Sequence, residues 1–420
     1  MFEEPRANTY FMKKILKFLL KSIAWLIAII ISLIVFDLLF NVNYIHGYKT
    51  LDKKEINNYL EQLDSTKSDP YHFIADKFDT HNVVFVGEFH WHKQDATFIN
   101  KLISYLYSTK KIRYFGWEFG AHEFQLQADS VVNAKEFDRK KAISIMRNSY
   151  YSWNFEEYLQ IFKTIWEINN KCAYEKDRMK FLQLNSVYIE KDFQSKDTSI
   201  RFKAYRSGFD IVLPSIIDTA IMAKNEKILI YCGIHHAFTK YKTPLFLFVK
   251  PNDLRAGANL FKKYHDKIYM TALGSAVPDK WTFINNLLGK EPGFVFPFSG
   301  IFNQLYDTYK KPFAVDANNG IFGDIKDYKS WYAYDKWNGL KLKDWCDGYI
   351  VLNSFEEVEP VTLINDWVTN DIELNEIKTT LTPQNASLIK DIPEFKKFIE
   401  KEETGRSNIK RWHSIKKFWK

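Results

Sequence analysis

The sequence predicts an α/β protein with a mixed or mostly parallel sheet flanked by helices, preceded by one N-terminal transmembrane helix. Short runs of aliphatic and aromatic residues recur between positions 82 and 353, separated by stretches whose apolar residues recur at helical spacing. These short runs are continuous rather than alternating, which is typical of strands covered on both faces. A much longer apolar run near the N-terminus predicts the membrane helix.

The composition bounds the class of protein. A chain of 420 residues that is 46% hydrophobic and 17% aromatic has ample material for a large core, which excludes extensive disorder. The three cysteines, Cys172, Cys232 and Cys346, form no CxxC pair. A disulfide-stapled fold and a thiolate zinc site are therefore excluded.

The net charge of +8 is concentrated at the two ends of the chain. Residues 406–420 hold six cations and no acid, and residues 1–41 have a net charge of +2. The body between them is neutral, so it lacks the cationic surplus of a phosphate-binding groove. Nucleic acid is therefore excluded as a partner.

The N-terminal segment predicts how the chain is attached to a membrane. Residues 1–22 are basic and precede an apolar run at 23–40 that is longer than a secretory signal core and is interrupted only by Asp37 near its end. The lysines before this run predict a cytoplasmic N-terminus and place everything after it on the periplasmic or extracellular side. We therefore expect a signal anchor that binds the protein to the membrane; a cleaved signal is the alternative.

The remainder is predicted to contain a lead-in segment at 41–80, a single α/β domain at 81–400 and a basic, aromatic tail at 401–420. The tail interleaves cations with Trp412, Phe418 and Trp419, which suits an anionic membrane surface or a solvated terminus. Strands are expected at 82–87, 112–118, 179–185, 227–233, 267–273 and 348–353. Helices are expected at 95–107, 134–147, 154–170, 197–225 and 253–264.

Ionisable residues follow three of these strands, where ligand sites form in open α/β sheets. The first turn carries Glu88, His90 and His92, the second Glu118, and the third His235 and His236. Carboxylates and imidazoles that converge at one sheet edge can share protons during general acid–base catalysis, or they can bind a divalent ion that activates water. The spacing alone leaves both possibilities open.

Each group also has a structural interpretation. A single glutamate after a strand is often a helix cap or a solvated turn residue, and His92 and His235 are expected to pack beside the functional groups. Trp91, Trp117 and Trp153 suit either a pocket wall or the core. Cys232, inside an apolar strand, is interpreted as a buried hydrophobic residue.

Three segments carry a resemblance to known proteins: VVFVGEFHWHKQDATFINKLISYL, RYFGWEFG and ILIYCGIHHAF. Together, over about 82–273, they resemble the superfamily of erythromycin-esterase-like hydrolases, ChaN-like haem-uptake proteins and TraB/Tiki metalloproteases. In that group a strand-end G-E-x-H or G-E-x-x-H, a second strand-end Glu and a late G-x-x-H face one cleft. The matching positions are Glu88, His90, Glu118 and His236.

Two departures accompany the resemblance. The esterase-like branch has an acid where this chain has Asn185, and the one-residue gap between Glu88 and His90 follows the haem-uptake pattern. The resemblance therefore implies the fold with more force than it implies the reaction.

These observations predict a membrane-anchored, exported hydrolase acting on ester or amide bonds of a small-molecule or peptide substrate. In this hypothesis His236 or His90 removes a proton from water, Glu88 and Glu118 stabilise the imidazolium, and the other histidine polarises the carbonyl. The cofactor is left open, with a divalent metal or haem as candidates, and so is the oligomeric state. The alternatives are a non-enzymatic binder of haem or another small ligand, and a surface protein with a vestigial site, which Asn185 would favour.

Overall fold

The computed structural model describes residues 6–40, 50–65, 69–205, 208–242, 255–280, 294–336 and 338–402. A seven-stranded sheet forms its centre, with strands in the order β3-β2-β4-β1-β5-β11-β8. The strands in the described ranges are β1 Val83–Glu88, β2 Tyr114–Ala121, β3 Lys180–Asn185, β4 Ile228–Gly233, β5 Ile268–Leu273, β6 Val277–Pro278, β7 Phe294–Val295, β8 Phe313–Asp316, β9 Lys326–Asp327, β10 Leu340–Lys341 and β11 Gly348–Val351.

All neighbouring strands of the large sheet are parallel except β8, which pairs antiparallel with β11. The predicted fold class, a mixed and mostly parallel sheet between helices, is confirmed. Strand β8 was not predicted because its four-residue run, FAVD, is too short to stand out in the sequence.

The helices of the described residues are α1 Arg6–Phe40, α2 Lys53–Ser65, α3 Pro70–Lys77, α4 Lys93–Lys110, α5 Gln125–Val132, α6 Arg139–Ser149, α7 Glu156–Asn170, α8 Glu190–Phe193, α9 Thr198–Tyr205, α10 Phe209–Ile216, α11 Ile234–Ala237, α12 Ala256–Tyr264, α13 Ile301–Tyr309, α14 Leu342–Trp345, α15 Asp371–Thr380, α16 Pro383–Ser387 and α17 Ile392–Glu402. Helix α1 contains a 23-residue stretch, Lys13–Val35, within which an 18-residue window has a mean hydropathy of 2.6 and no burial against the rest of the described chain. Its length and composition suffice to cross a membrane, properties that an anchor and a signal sequence share.

Two apolar layers cover the sheet because successive side chains of its fully buried strands point to opposite faces. In β1, Val84 and Val86 join a core formed with α3, α4 and α7. Val83 and Phe85 join the second core, formed with α10, α12 and α13. The segment before the first strand contributes directly to the first core, since Phe73 and Ile74 of α3 are buried there.

The prediction of one helix over 197–225 is wrong. The described part of this segment forms α9, then α10, and then a π turn at Ile217–Ile221 and a 3₁₀ turn at Met222–Lys224. Gly208 precedes α10, and Pro214, which cannot donate a backbone hydrogen bond, lies inside it. The break at Gly208 places Asp210 in the first turn of a separate helix. Most of the predicted basic tail, residues 403–420, lies outside the described residues.

Candidate active site

The sheet order brings three of the chain's strand ends together. Strand β4 lies between β1 and β2, and Gly233 at its end is in register with Glu88 at the end of β1. Strand β2 flanks β4 on the other side and carries Glu118. The two glutamates, far apart in sequence, therefore stand on either side of Gly233 at the carboxyl edge of the sheet.

The first functional unit is the pair formed by Glu88 and His90. His90 Nδ1 lies 2.7 Å from Glu88 Oε1; the glutamate side chain is fully buried and the histidine side chain is 30% exposed. Tyr158 of α7 donates from its hydroxyl to both carboxylate oxygens at 2.7 Å. The Tyr231 hydroxyl, from β4, donates to Glu88 Oε2. Because Glu88 occupies His90 Nδ1, the other ring nitrogen of His90 is left for the cavity in front of it.

The second unit is His236, which a carboxylate contacts at each ring nitrogen. Glu118 Oε1 lies 3.2 Å from Nε2, and Asp210 Oδ1 lies 2.8 Å from Nδ1. Glu118 also accepts from the Gly233 backbone N–H at 2.7 Å. Asp210 accepts from the Ala256 backbone N–H at 2.9 Å, and Arg255 Nη1 lies 3.2 Å from its other oxygen. His236 therefore cannot accept a substrate proton while these contacts persist.

The pKa values of this second unit follow from its opposite charges. Burial alone would lower the pKa of His236, but the charges of Glu118 and Asp210 and their hydrogen bonds raise it to about 9. Burial alone would raise the pKa of Glu118, but His236, His90 and the Gly233 N–H lower it to about 2. His236 and Arg255 likewise overcome burial and hold the pKa of Asp210 well below its usual range. At neutral pH His236 is a cation between two carboxylates.

The first unit titrates differently because fewer charges oppose its burial. Burial raises the pKa of Glu88 in spite of the hydrogen bonds from His90 and Tyr158. Burial would lower the pKa of His90, but its hydrogen bond to Glu88 and the charges of Glu88 and Glu118 raise it. The pair therefore holds one exchangeable proton more tightly than an isolated histidine would, and the proton belongs to both residues.

Gly233 lies between the two units, close to His90 and Glu118. A Cβ atom at this position would lie 2.7 Å from His90 Cε1, 3.0 Å from His90 Nε2 and 3.3 Å from Glu118 Oε2. Those distances are too short for a side chain, so glycine is required to leave His90 and Glu118 in these positions. They also show that His90 Nε2 and Glu118 lie around the same point.

A cavity of about 590 Å³ lies against the two units, and His90, Glu118 and His236 line it. Its polar end is formed by His90, Glu118, Asn185, Asp210, His236 and Arg255, and its walls include Trp91, Phe119, Tyr150, Trp153, Tyr188 and Phe193. Phe119 and Trp153 stack with ring centroids 4.5 Å apart, and Tyr188 stacks on Phe193 at 4.9 Å. The cavity is large enough for a drug-sized ligand and combines a charged end with aromatic walls.

The structure brings together the four residues singled out by the strand-end motifs. His90, Glu118 and His236 line the cavity, and Glu88 lies behind His90. Asn185 also lines it, and its Nδ2 donates to the backbone carbonyl of Glu118 at 2.9 Å. This residue therefore positions the Glu118 strand end.

His92 and His235, the two histidines expected to pack beside the functional groups, do not line the cavity. His92 is buried, with Nδ1 3.2 Å from Asp95 Oδ2. His235 Nε2 lies 2.8 Å from the Tyr332 hydroxyl, and burial together with the charges of Arg255 and His236 lowers the pKa of His235 to about 3. Of the three tryptophans, Trp91 and Trp153 line the cavity, whereas Trp117 is buried and donates to Gln183. Cys232 is fully buried.

Sequence reasoning missed four residues of this site: Tyr158, Asp210, Tyr231 and Arg255. Tyr231 lies inside an apolar run that predicts a buried strand, and Tyr158 lies in a stretch whose apolar spacing predicts a helix. Both patterns indicate core packing and do not single out a functional hydroxyl. The available sequence signal for Asp210 is Gly208, which lies inside the predicted helix 197–225. A glycine there can break the helix, and in the structure a new helix begins directly after it. Arg255 follows residues that the structure does not describe, and no local pattern singles it out.

A metal or cofactor would have few free donors here. Among the described residues no group of three or more His, Cys, Asp and Glu side chains is arranged to hold a metal ion. His236 is engaged at both ring nitrogens, so the imidazole nitrogen left for a ligand in the cavity is His90 Nε2.

Comparison with known proteins found similarities among solved structures. No protein-family model and no curated protein matches the chain. Among solved structures, a Bacillus cereus protein is 10% identical, with 75% of this chain and 100% of that chain covered and a TM-score of 0.47. An erythromycin esterase in its open conformation is 10% identical, with 75% and 97% covered and a TM-score of 0.45.

A third structure, described as showing cofacial haem binding to ChaN of Campylobacter jejuni, is 12% identical, with 50% of this chain and 88% of that chain covered and a TM-score of 0.33. Erythromycin esterases and ChaN-like proteins, two of the groups that the sequence resembles, are thus among the structures found. At these identities and TM-scores the similarities carry no argument about the activity of this chain.

Proposed function

We propose that the protein is a membrane-anchored, exported hydrolase in which the Glu88–His90 pair activates water against an ester or amide carbonyl. One observation carries the proposal. His90 is bonded at Nδ1 to a buried carboxylate and lines the cavity, while its Nε2 and Glu118 both lie close to Gly233. A histidine oriented in this way is the arrangement that general-base catalysis requires.

In the proposed reaction the first unit transfers the proton and the second unit holds its carboxylates in position. His90 Nε2 removes a proton from water, the resulting hydroxide attacks the carbonyl carbon, and Glu88 stabilises the imidazolium. His90 then returns the proton to the leaving oxygen or nitrogen as the bond to the carbonyl carbon breaks. His236, whose ring nitrogens both contact carboxylates, fixes Glu118 and Asp210 in place.

Arg255 is the group that we assign to the developing oxyanion. It is buried, lines the cavity and bonds Asp210 through Nη1. A fixed cation in a site shielded from water stabilises negative charge that appears in the transition state.

The test is turnover of an ester, lactone and peptide panel by the purified protein. His90→Ala and Glu88→Gln should each lower kcat/KM by about 100- to 10,000-fold. His235→Ala is the matched control, because this histidine lies next to His236 in sequence but bonds Tyr332 outside the cavity, and it should retain activity.

A wild-type protein that hydrolyses none of these substrates, with or without added Zn²⁺, Mn²⁺ or Co²⁺, would overturn the assignment. Activity that a chelator removes and one ion restores would instead assign Glu88 and His90 to metal binding.

A non-enzymatic binder of haem or another flat apolar ligand is the second candidate. Among the described residues that line the cavity, His90 has an imidazole nitrogen without a carboxylate partner, and its Nδ1 has the carboxylate bond that orients metal-bound histidines, which favours this candidate. Haem titration should then produce a Soret band that His90→Ala shifts and Glu118→Gln leaves unchanged. Stoichiometric haem binding without hydrolysis would favour this candidate.

A further inference from the structure

Two tyrosines from different elements converge on the same buried carboxylate. Tyr158 comes from α7 and Tyr231 from β4, and both side chains are fully buried. Both hydroxyls donate to Glu88, and their oxygens are 3.4 Å apart. With His90 on Oε1, the carboxylate is enclosed by donors and touches no lysine or arginine in the described residues.

This enclosure counteracts the effect of burial on the pair. Removing a carboxylate from water favours its protonated form, and a proton retained on the pair would deprive His90 of its function as a base. Hydroxyl donors stabilise the carboxylate without adding a positive charge that would repel a proton arriving at His90. Burial and the Glu88 charge raise the pKa of Tyr158 well above its ordinary value, so its hydroxyl remains a donor.

The charged groups near the Glu88–His90 pair also act on its pKa values. Glu118 raises the pKa of His90 and His236 lowers it, and the charge of buried Asp95 raises the pKa of Glu88. Two of these three neighbours therefore favour a retained proton. The tyrosine hydroxyls are the neutral groups in direct contact that favour its release.

We propose that Tyr158 and Tyr231 are positioning residues that hold Glu88 in its ionised form, so that the Glu88–His90 pair releases its proton at a lower pH than it would without them and His90 is available as a base. The inference rests on the proposed function for its consequence in catalysis. Its physical content, the effect of two hydroxyls on the titration of a histidine, does not depend on turnover.

The experiment compares Tyr158→Phe and Tyr231→Phe with wild type. Each change removes a donor that stabilises the deprotonated pair, so the acidic limb of the kcat/KM profile should move to higher pH by about one pH unit. The plateau at higher pH should stay within a few-fold of wild type. A role confined to packing would lower the whole profile without moving the limb.

Tyr332→Phe is the matched control. Tyr332 is also a buried tyrosine whose hydroxyl contacts a histidine, since it lies 2.8 Å from His235 Nε2, but that histidine is outside the cavity. This variant should leave the limb in place.

Histidine NMR titration separates this inference from the proposed function. The His90 signals, assigned by their loss in His90→Ala, should titrate at higher pH in both variants without any substrate present. A shifted titration in a protein that hydrolyses nothing would discard the hydrolase and keep the inference. Unshifted titrations in folded variants would overturn the inference.

A measurement on the wild type covers the case in which neither variant folds. The carboxyl carbon of Glu88, assigned with Glu88→Gln, should have the ¹³C chemical shift of an ionised group at pH 7.5. A protonated Glu88 at that pH would also overturn the inference.

Discussion

Asp210 Oδ1 lies 2.8 Å from His236 Nδ1, although the two residues come from a helix and a strand-end turn that are 26 positions apart. With Glu118 at Nε2, this contact makes His236 a fixed cation. The sequence left the choice of base between His90 and His236 open. The contact favours His90, because its outward nitrogen has no carboxylate partner in the described structure.

Replacing Glu118 with glutamine should lower turnover by about 100- to 10,000-fold while the fold is retained. The variant keeps the shape of the side chain but loses the charge that holds His236 and faces His90. Steady-state kinetics and circular dichroism measure the two effects. Glu123→Gln, at an exposed position shortly after the same strand, should behave as wild type; equal losses in both variants would contradict the role of Glu118.

Stability should depend on pH through the same cluster. The pKa of Glu118 is lowered from 4.5 to about 2, so its contribution is present above about 4.5 and is lost as the pH falls through 2. The pKa of His236 is raised from 6.5 to about 9, so its contribution is present below about 6.5 and is lost as the pH rises through 9. Thermal unfolding should show the full contribution of both groups between about pH 4.5 and 6.5.

Asp210→Asn should reduce the alkaline decline in Tm, because His236 loses one of the two charges that raise its pKa. What remains of the decline should end at a lower pH than in wild type. Glu175→Gln, an exposed carboxylate away from the cavity, serves as the comparison. An alkaline decline that is identical in Asp210→Asn and wild type would show that His236 does not control it.

Gly233→Ala should abolish activity with little effect on the rest of the sheet. The new Cβ would lie 2.7 Å from His90 Cε1, so His90 must move away from residue 233. Gly208→Ala tests whether this effect is specific, because Gly208 lines the cavity and a Cβ added there has an ordinary 3.5 Å contact with Asn185. It should lose far less activity, as measured by kcat/KM; comparable losses would mean that the cavity tolerates no added volume anywhere.

The orientation in the membrane is a separate prediction. If Lys13, Lys14, Lys17 and Lys21 hold the N-terminus inside, a reporter fused after Lys420 should be active only in the exported compartment. Replacing these four lysines with glutamate should reduce that activity. Cytoplasmic activity of the unmutated fusion would contradict both the anchor orientation and the proposed localisation.

The sequence by itself determined the features that depend on neighbouring residues. Continuous apolar runs define the strands of a sheet covered on both faces, and the residues that end these runs are carried to its carboxyl edge by covalent connection alone. This is why Glu88, His90, Glu118 and His236 could be singled out from local patterns. The long apolar helix is likewise a local property of composition.

Only the tertiary structure decided which groups surround these four residues and which protons they hold. Asp210 contacts both His236 and Arg255 through the packing of α10 and α12 against the turn after β4. Tyr158 of α7 and Tyr231 of β4 both donate to Glu88. The protonation state of a group depends on its burial and on charges within a few ångströms. Residues that are far apart in the sequence provide both the burial and the charges. The sequence therefore located the candidate site, and the fold assigned its base, its fixed cation and the donors around its buried carboxylate.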